Sequence, residues 1–290
     1  MTSTMALDLD AIRAIDMHTH VLSSVCGSDA ASDSVEAASG KVFGVQMTST
    51  VPQLADAYRE RQMLCVTFMV DVMGTENPVT NDEVLRLGAE HSDVIIPFAS
   101  VDPRRGAEAV TEARRLVETY DVKGFKFHPT MQHFYPNDER FYPLYDVIQA
   151  SGAISIFHTG QTAIGSGQPG GAGLRLKYSN PLHLDDVAAD FADLKIVLAH
   201  PSMPWQDEAL SVAVHKPNVY IDLSGWSPKY FPPQLVQYAN TLLKEKVLFG
   251  TDFPAFTPER WIELFEELPM KPEVRPLILK ENAIRLFGWA

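Results

Sequence analysis

Four apolar runs in this chain end in side chains that can bind a metal: Ala14-Ile-Asp-Met-His18-Thr-His20, Ile154-Ser-Ile-Phe-His158, Ile196-Val-Leu-Ala-His200 and Val247-Leu-Phe-Gly-Thr-Asp252. In a strand, side chains two apart project to one face, so His18 and His20 can grip a single ion together. Asp16 falls on that face too, where it either orients an imidazole or satisfies a nearby backbone group. A histidine from a middle run and Asp252 from the last would complete three nitrogens and one oxygen. That donor set suits one divalent ion, zinc first, with manganese or iron as alternatives, and leaves a position for water. Burial strengthens the case, because an unpaired buried polar group costs about 1–3 kcal/mol and a buried carboxylate costs more. Several such groups at equivalent strand ends are hard to explain without a shared cation.

Further residues belong to the same region. His200 can be a ligand, or can meet the substrate or a metal-bound water as acid, base or electrostatic aid. Lys126 and His128 share a face of one run, Gly124-Phe-Lys126-Phe-His128. Lys126 can bind a substrate carboxylate, form a buried ion pair or, once carbamylated, bridge a second metal. Arg175, with Lys177, is a candidate for recognising an anionic substrate, and Trp226 for lining the pocket. His91, His133, His183 and His215 fall on helices or loops as ordinary surface or packing residues.

These side chains need a scaffold that brings strand ends together. Strand-like runs fall near 14–20, 64–71, 94–102, 122–129, 153–160, 195–201, 219–225 and 246–252, with helical periodicity between them. Eight β/α units over 1–290 without a composition break predict one domain, a (β/α)8 TIM barrel of class α/β. An open doubly wound sheet is the runner-up, but no Gly-x-Gly-x-x-Gly follows the first strand. Residues 274–289 predict an extra C-terminal helix. Two long loops, 21–47 and the glycine-rich 160–180, follow histidine-ending strands, where barrel enzymes carry lids and binding loops.

Composition narrows the function. The chain has 290 residues, 46% hydrophobic, enough for a large core. A net charge of −13 without a basic stripe argues against nucleic acid and anionic membrane surfaces. Two cysteines, Cys26 and Cys65, cannot frame a disulfide scaffold and fit a reducing cytoplasm. The first ten residues carry acids where a signal peptide needs an apolar stretch, and no run reaches membrane-spanning length.

Read together, His18-Thr-His20, Lys126-Phe-His128-Pro, His158-Thr-Gly, Ala199-His200-Pro-Ser, Gly250-Thr-Asp252-Phe-Pro and Glu281-Asn-Ala-Ile-Arg-Leu-Phe-Gly resemble the metal-dependent amidohydrolase superfamily. The likeness is to the branch related to aminocarboxymuconate semialdehyde decarboxylase. The resemblance implies a distorted barrel with one divalent metal held by His18, His20, His158 and Asp252, and His200 as a catalytic residue beside it. It implies Asp252 accepting a water proton and His200 stabilising the oxyanion. A small-molecule substrate is expected, with a homodimer as the assembly that analogy suggests. Hydrolysis of a lactone, ester or β-keto thioester is the first expectation, and nonoxidative decarboxylation of an aromatic or unsaturated acid the second. A barrel that binds metal and ligand without turnover is the remote third.

Overall fold

Short β-branched and aromatic runs become strands here, and the amphipathic stretches between them become helices; a computed structural model describes residues 9–26 and 49–289. The strands are β1 (Ala14–His20), β2 (Met63–Phe68), β3 (Ile95–Pro97), β4 (Gly124–Phe127), β5 (Ile154–His158), β6 (Ile196–Ala199), β7 (Val219–Asp222) and β8 (Val247–Leu248). Each coincides with an expected run. The helices between them are α1 (Val51–Glu60), α2 (Asn81–Glu90), α3 (Ala107–Thr119), α4 (Tyr142–Ser151), α5 (His183–Asp190), α6 (Gln206–His215), α7 (Pro233–Ala239) and α8 (Pro258–Glu266). Local chemistry sets their ends. Thr50 and Gln53 form a capping box ahead of α1, and left-handed Gly152 stops α4.

All strand pairs are parallel, in two ladders, β1-β2-β3 and β4 through β8 in order. Single bridges, Thr19 with Phe253 and Ala99 with Phe125, link the ladders at both seams. The Asp252 N–H donates to the His18 carbonyl (2.9 Å), and the Ala99 N–H to that of Gly124 (2.9 Å). The barrel is therefore distorted: its eighth strand is two residues long, and left-handed backbone follows at Asp252 (φ 66°).

Strand alternation splits the apolar residues into two clusters. Ile15, Met17, Leu64, Val66, Ile156, Val197 and Leu248 form an inner one, and a larger outer one packs helices on strands. The expected C-terminal helix is a π-helical turn (Leu277–Glu281) followed by α9 (Asn282–Phe287). The Lys195 ammonium binds the Leu286 carbonyl (2.7 Å) and the Asn282 side chain binds that of Val247 (2.7 Å), so α9 lies at the strand starts, away from the histidines.

In β1 the register slips between Asp16 and Thr19. Asp16 turns toward Tyr58 of α1 and Thr251, whereas His18 joins Lys126 and Asp222. Simple alternation would have left Asp16 and His18 on one face; the irregularity parts them. No helix among the described residues is long and apolar enough to cross a membrane. Residues 1–8 and most of the 21–47 loop, two segments that the sequence singles out, lie outside the described residues.

Candidate metal-binding active site

The C-terminal strand ends deliver their polar side chains to the floor of one cavity of about 860 Å³. His18, Lys126, His128, His158 and His200 are buried there, while His20 and Asp252 keep 18% and 19% of their side chains exposed, which leaves them within reach of a substrate. One ligand atom each from His18, His20 and Asp252 lie within 4.8 Å of one another. Asp252 Oδ1 is 2.9 Å from His20 Nε2 and 3.3 Å from His18 Nε2. His18, His200 and Asp222 make a second such group.

The hydrogen-bond pattern assigns the tautomers. A carbonyl oxygen only accepts, so the 3.0 Å contact from His200 Nδ1 to the Ser224 carbonyl puts the His200 proton on Nδ1. His200 Nε2, 3.0 Å from His158 Nδ1, then accepts from it. That leaves His158 Nε2 as a bare lone pair, buried and without a hydrogen-bond partner among the described residues. On the other side, Asp222 Oδ2 accepts from His18 Nδ1 (3.1 Å), which leaves His18 Nε2 as a lone pair on the side of Asp252 and Lys126. Lone pairs on His18 Nε2 and His158 Nε2 in one cavity with the Asp252 carboxylate are donors of the kind a divalent cation takes.

Electrostatics agree. Burial pushes His18, His128, His158 and His200 below the usual imidazole range, so all four are neutral and able to ligate at pH 7. Burial works against the Asp252 carboxylate, but the His20 hydrogen bond and the adjacent imidazoles hold it well below the ordinary range. Burial brings the Lys126 ammonium down to about 8, with Asp252 and Asp222 resisting. Its Nζ lies 2.9 Å from His18 Nε2 and 4.6 Å from the centre of the Phe68 ring. His128 stacks on His158 with centroids 3.8 Å apart.

Two of these groups stand on left-handed backbone, His200 (φ 74°) and Asp252 (φ 66°). Such non-glycine conformations persist where the surroundings over-determine them, often at functional sites. Gly225 makes room for both: a Cβ there would lie 2.5 Å from His200 Nδ1 and 3.2 Å from Asp252 Oδ2, and its φ of +71° suits glycine.

Lys126, His128 and Trp226 line the cavity, as does the glycine-rich loop through Gly165, Gln168 and Leu174. Arg175 does not: its exposed side chain lies off the wall, and the cations that line it beyond Lys126 are Lys229 and Arg260. The reason is local. Thr130 lies 3.5 Å from the Arg175 carbonyl, and the backbone turns past Arg175 into Leu176–Ser179. Asp16 orients no imidazole; it accepts from the backbone of His18 and Thr251 and from the hydroxyls of Thr251 and Tyr58. The orienting carboxylate is Asp222. It closes the run Val219-Tyr-Ile-Asp222 as the histidines close theirs, a signal that strand-end reasoning could have used. Asp222→Ala is expected to weaken metal binding about 10- to 100-fold, measured by chelator competition. Wild-type affinity in that variant would remove its orienting role.

A sequence profile described as amidohydrolase matches residues 15–289. Among solved structures, an uncharacterized TIM-barrel protein from Bordetella bronchiseptica has a TM-score of 0.75 at 23% identity, covering 95% of this chain and 98% of its own. A dihydroxybenzoic acid decarboxylase from a Polaromonas species, with bound manganese and the inhibitor 2-nitroresorcinol, has a TM-score of 0.66 at 15% identity, with 95% and 96% covered. A probable 2-pyrone-4,6-dicarboxylic acid hydrolase from Acinetobacter baumannii, with citric acid bound, has 0.61 at 17% identity, with 96% and 100% covered. At these identities the likeness is one of fold. Protein fluG of Emericella nidulans is 31% identical over 97 residues, which span 31% of this chain and 11% of that protein.

Proposed function

Because the chain belongs to the amidohydrolase family, we propose that it is a hydrolase of a small carbonyl compound, a lactone, ester or β-keto thioester, working with one divalent ion. His18, His20, His158 and Asp252 would hold the ion, zinc first and manganese or iron next. When bound, it supplies Lewis acidity and makes a coordinated water more acidic. The observation that carries the reading is the convergence of His18, His20 and Asp252 in a cavity that His158 also lines, its buried Nε2 unpartnered among the described residues.

The side chains divide the remaining work. Asp252, kept ionised and partly exposed, accepts the proton of the attacking water and returns it to the leaving group. His200 carries its proton on Nδ1, so its Nε2 accepts from His158 Nδ1 and keeps His158 Nε2 unprotonated for the ion. With that tautomer His200 Nε2 has no proton to donate, so the oxyanion role that the resemblance implies for it passes to another group. The buried Lys126 ammonium, which lines the floor, is the cation that faces developing negative charge instead. His128, stacked on His158, and Trp226 shape the pocket around the substrate.

The same Lys126 favours a second reading, nonoxidative decarboxylation, because a buried ammonium suits a carboxylate. One experiment separates them. Metal-loaded protein is offered lactones, esters, β-keto thioesters and aromatic acids in ¹⁸O-water. Hydrolysis places one label in the acid product, whereas decarboxylation releases carbon dioxide and leaves the organic product without solvent oxygen. Chelation is expected to abolish either activity and zinc or manganese to restore it. Stoichiometric metal with no turnover on any class would overturn both.

A further inference from the structure

The cavity carries positive charge at two separate levels. Asp252 is the only carboxylate on its lining among the described residues, against Lys126, Lys229 and Arg260, in a chain of net charge −13. Lys126 is 1% exposed on the floor, whereas Lys229 and Arg260 are exposed lining residues. Neither of these two has a carboxylate partner among the described residues. The contrast with their surroundings is sharp, since Glu259, next to Arg260, is engaged by Arg61. Apolar wall from Val70, Met131, Ile164, Leu174 and Trp226 completes the lining. At about 860 Å³ the space sits in the upper part of the roughly 300–1,000 Å³ range that accommodates drug-sized ligands, well beyond one small ring.

We propose that Arg260 and Lys229 form an anion subsite at the cavity mouth, which binds a carboxylate or phosphate at the far end of an elongated substrate. The substrate's carbonyl end lies at Asp252 and Lys126, and its apolar middle runs along Trp226 and Leu174. This rests on the floor being the reaction centre. Arg260 is well suited to such a role, because its planar guanidinium matches either anion with two parallel hydrogen bonds, and α8 carries it on a regular element rather than a loop. Lys229 adds a point charge from the turn Pro228–Tyr230, with its Nζ 4.7 Å from the Tyr230 ring centre.

The test is calorimetry on the metal-loaded protein at fixed ionic strength. The probes are straight-chain α,ω-dicarboxylates of increasing length, the matching monocarboxylates, and ω-phosphonocarboxylates of the same lengths. At the length that spans the cavity, the doubly charged probe is expected to bind about tenfold tighter than the monocarboxylate. In the Arg260→Gln, Lys229→Gln double variant that advantage should shrink to about twofold or less, with monocarboxylate affinity unchanged. The series with the larger loss identifies the anion. No length-dependent advantage in either series, or an advantage that survives the double variant, overturns the subsite. The readout is binding, so a failure to hydrolyse anything would sink the proposed reaction and leave this difference standing.

Discussion

Asp252→Asn is expected to lower turnover by about a thousandfold while changing substrate affinity less than tenfold. Asparagine keeps the shape and can still accept the hydrogen bond from His20, which lies 2.9 Å from Oδ1. It loses the charge and the capacity to take a proton, the two properties that the site maintains against burial. Steady-state kinetics would be read beside metal content, because Asp252 also belongs to the cluster with His18 and His20. A variant that holds metal and turns over within threefold of wild type would remove Asp252 from the chemistry. If turnover returns in proportion to added metal, the residue is a ligand only.

The second large effect comes from a residue with no side chain. Gly225→Ala should lower turnover about a hundredfold with a stability loss of only about 1–2 kcal/mol. An added Cβ would meet His200 Nδ1 at 2.5 Å and Cε1 at 2.9 Å. Real contacts of that kind do not occur, so the imidazole must swing, and its hydrogen bonds to Ser224 and His158 go with it. Left-handed backbone at φ +71° adds strain for alanine. Valine should do worse than alanine in turnover. Full activity in Gly225→Ala would mean that the position of His200 is immaterial, and thermal denaturation in parallel would separate a displaced imidazole from an unfolded chain.

The scaffold is legible in the sequence because strand and helix leave different periodicities. Each of the eight strands among the described residues coincides with a run marked by apolar, β-branched or aromatic residues, with helical periodicity between the runs. His18, His20, His158, His200 and Asp252 are visible because a buried polar residue closing an apolar run is costly and therefore informative. Asp222 obeys the same rule but does not stand out, since a lone aspartate after Val-Tyr-Ile reads equally well as a turn residue. The parting of Asp16 from His18 is invisible: alternation assumes an unbroken ladder, and an irregularity depends on what the neighbouring strand does. Arg175 stands out by charge and loop position, but which way a loop side chain points is set by tertiary contacts. Lys229 and Arg260 escape notice for the same reason, because nothing local distinguishes a cation at a cavity from one on an outer surface.

The seam between the first and last strands has a consequence for biosynthesis. His20 and Asp252 meet across 232 positions of sequence, and the Asp252 N–H bonds the His18 carbonyl. A nascent polypeptide stalled before that aspartate emerges would hold both early imidazoles without their acidic counterpart. With the proposed ligand set, complete ion capture would follow translation of nearly all the barrel, so loading with metal would report late topological completion rather than early collapse.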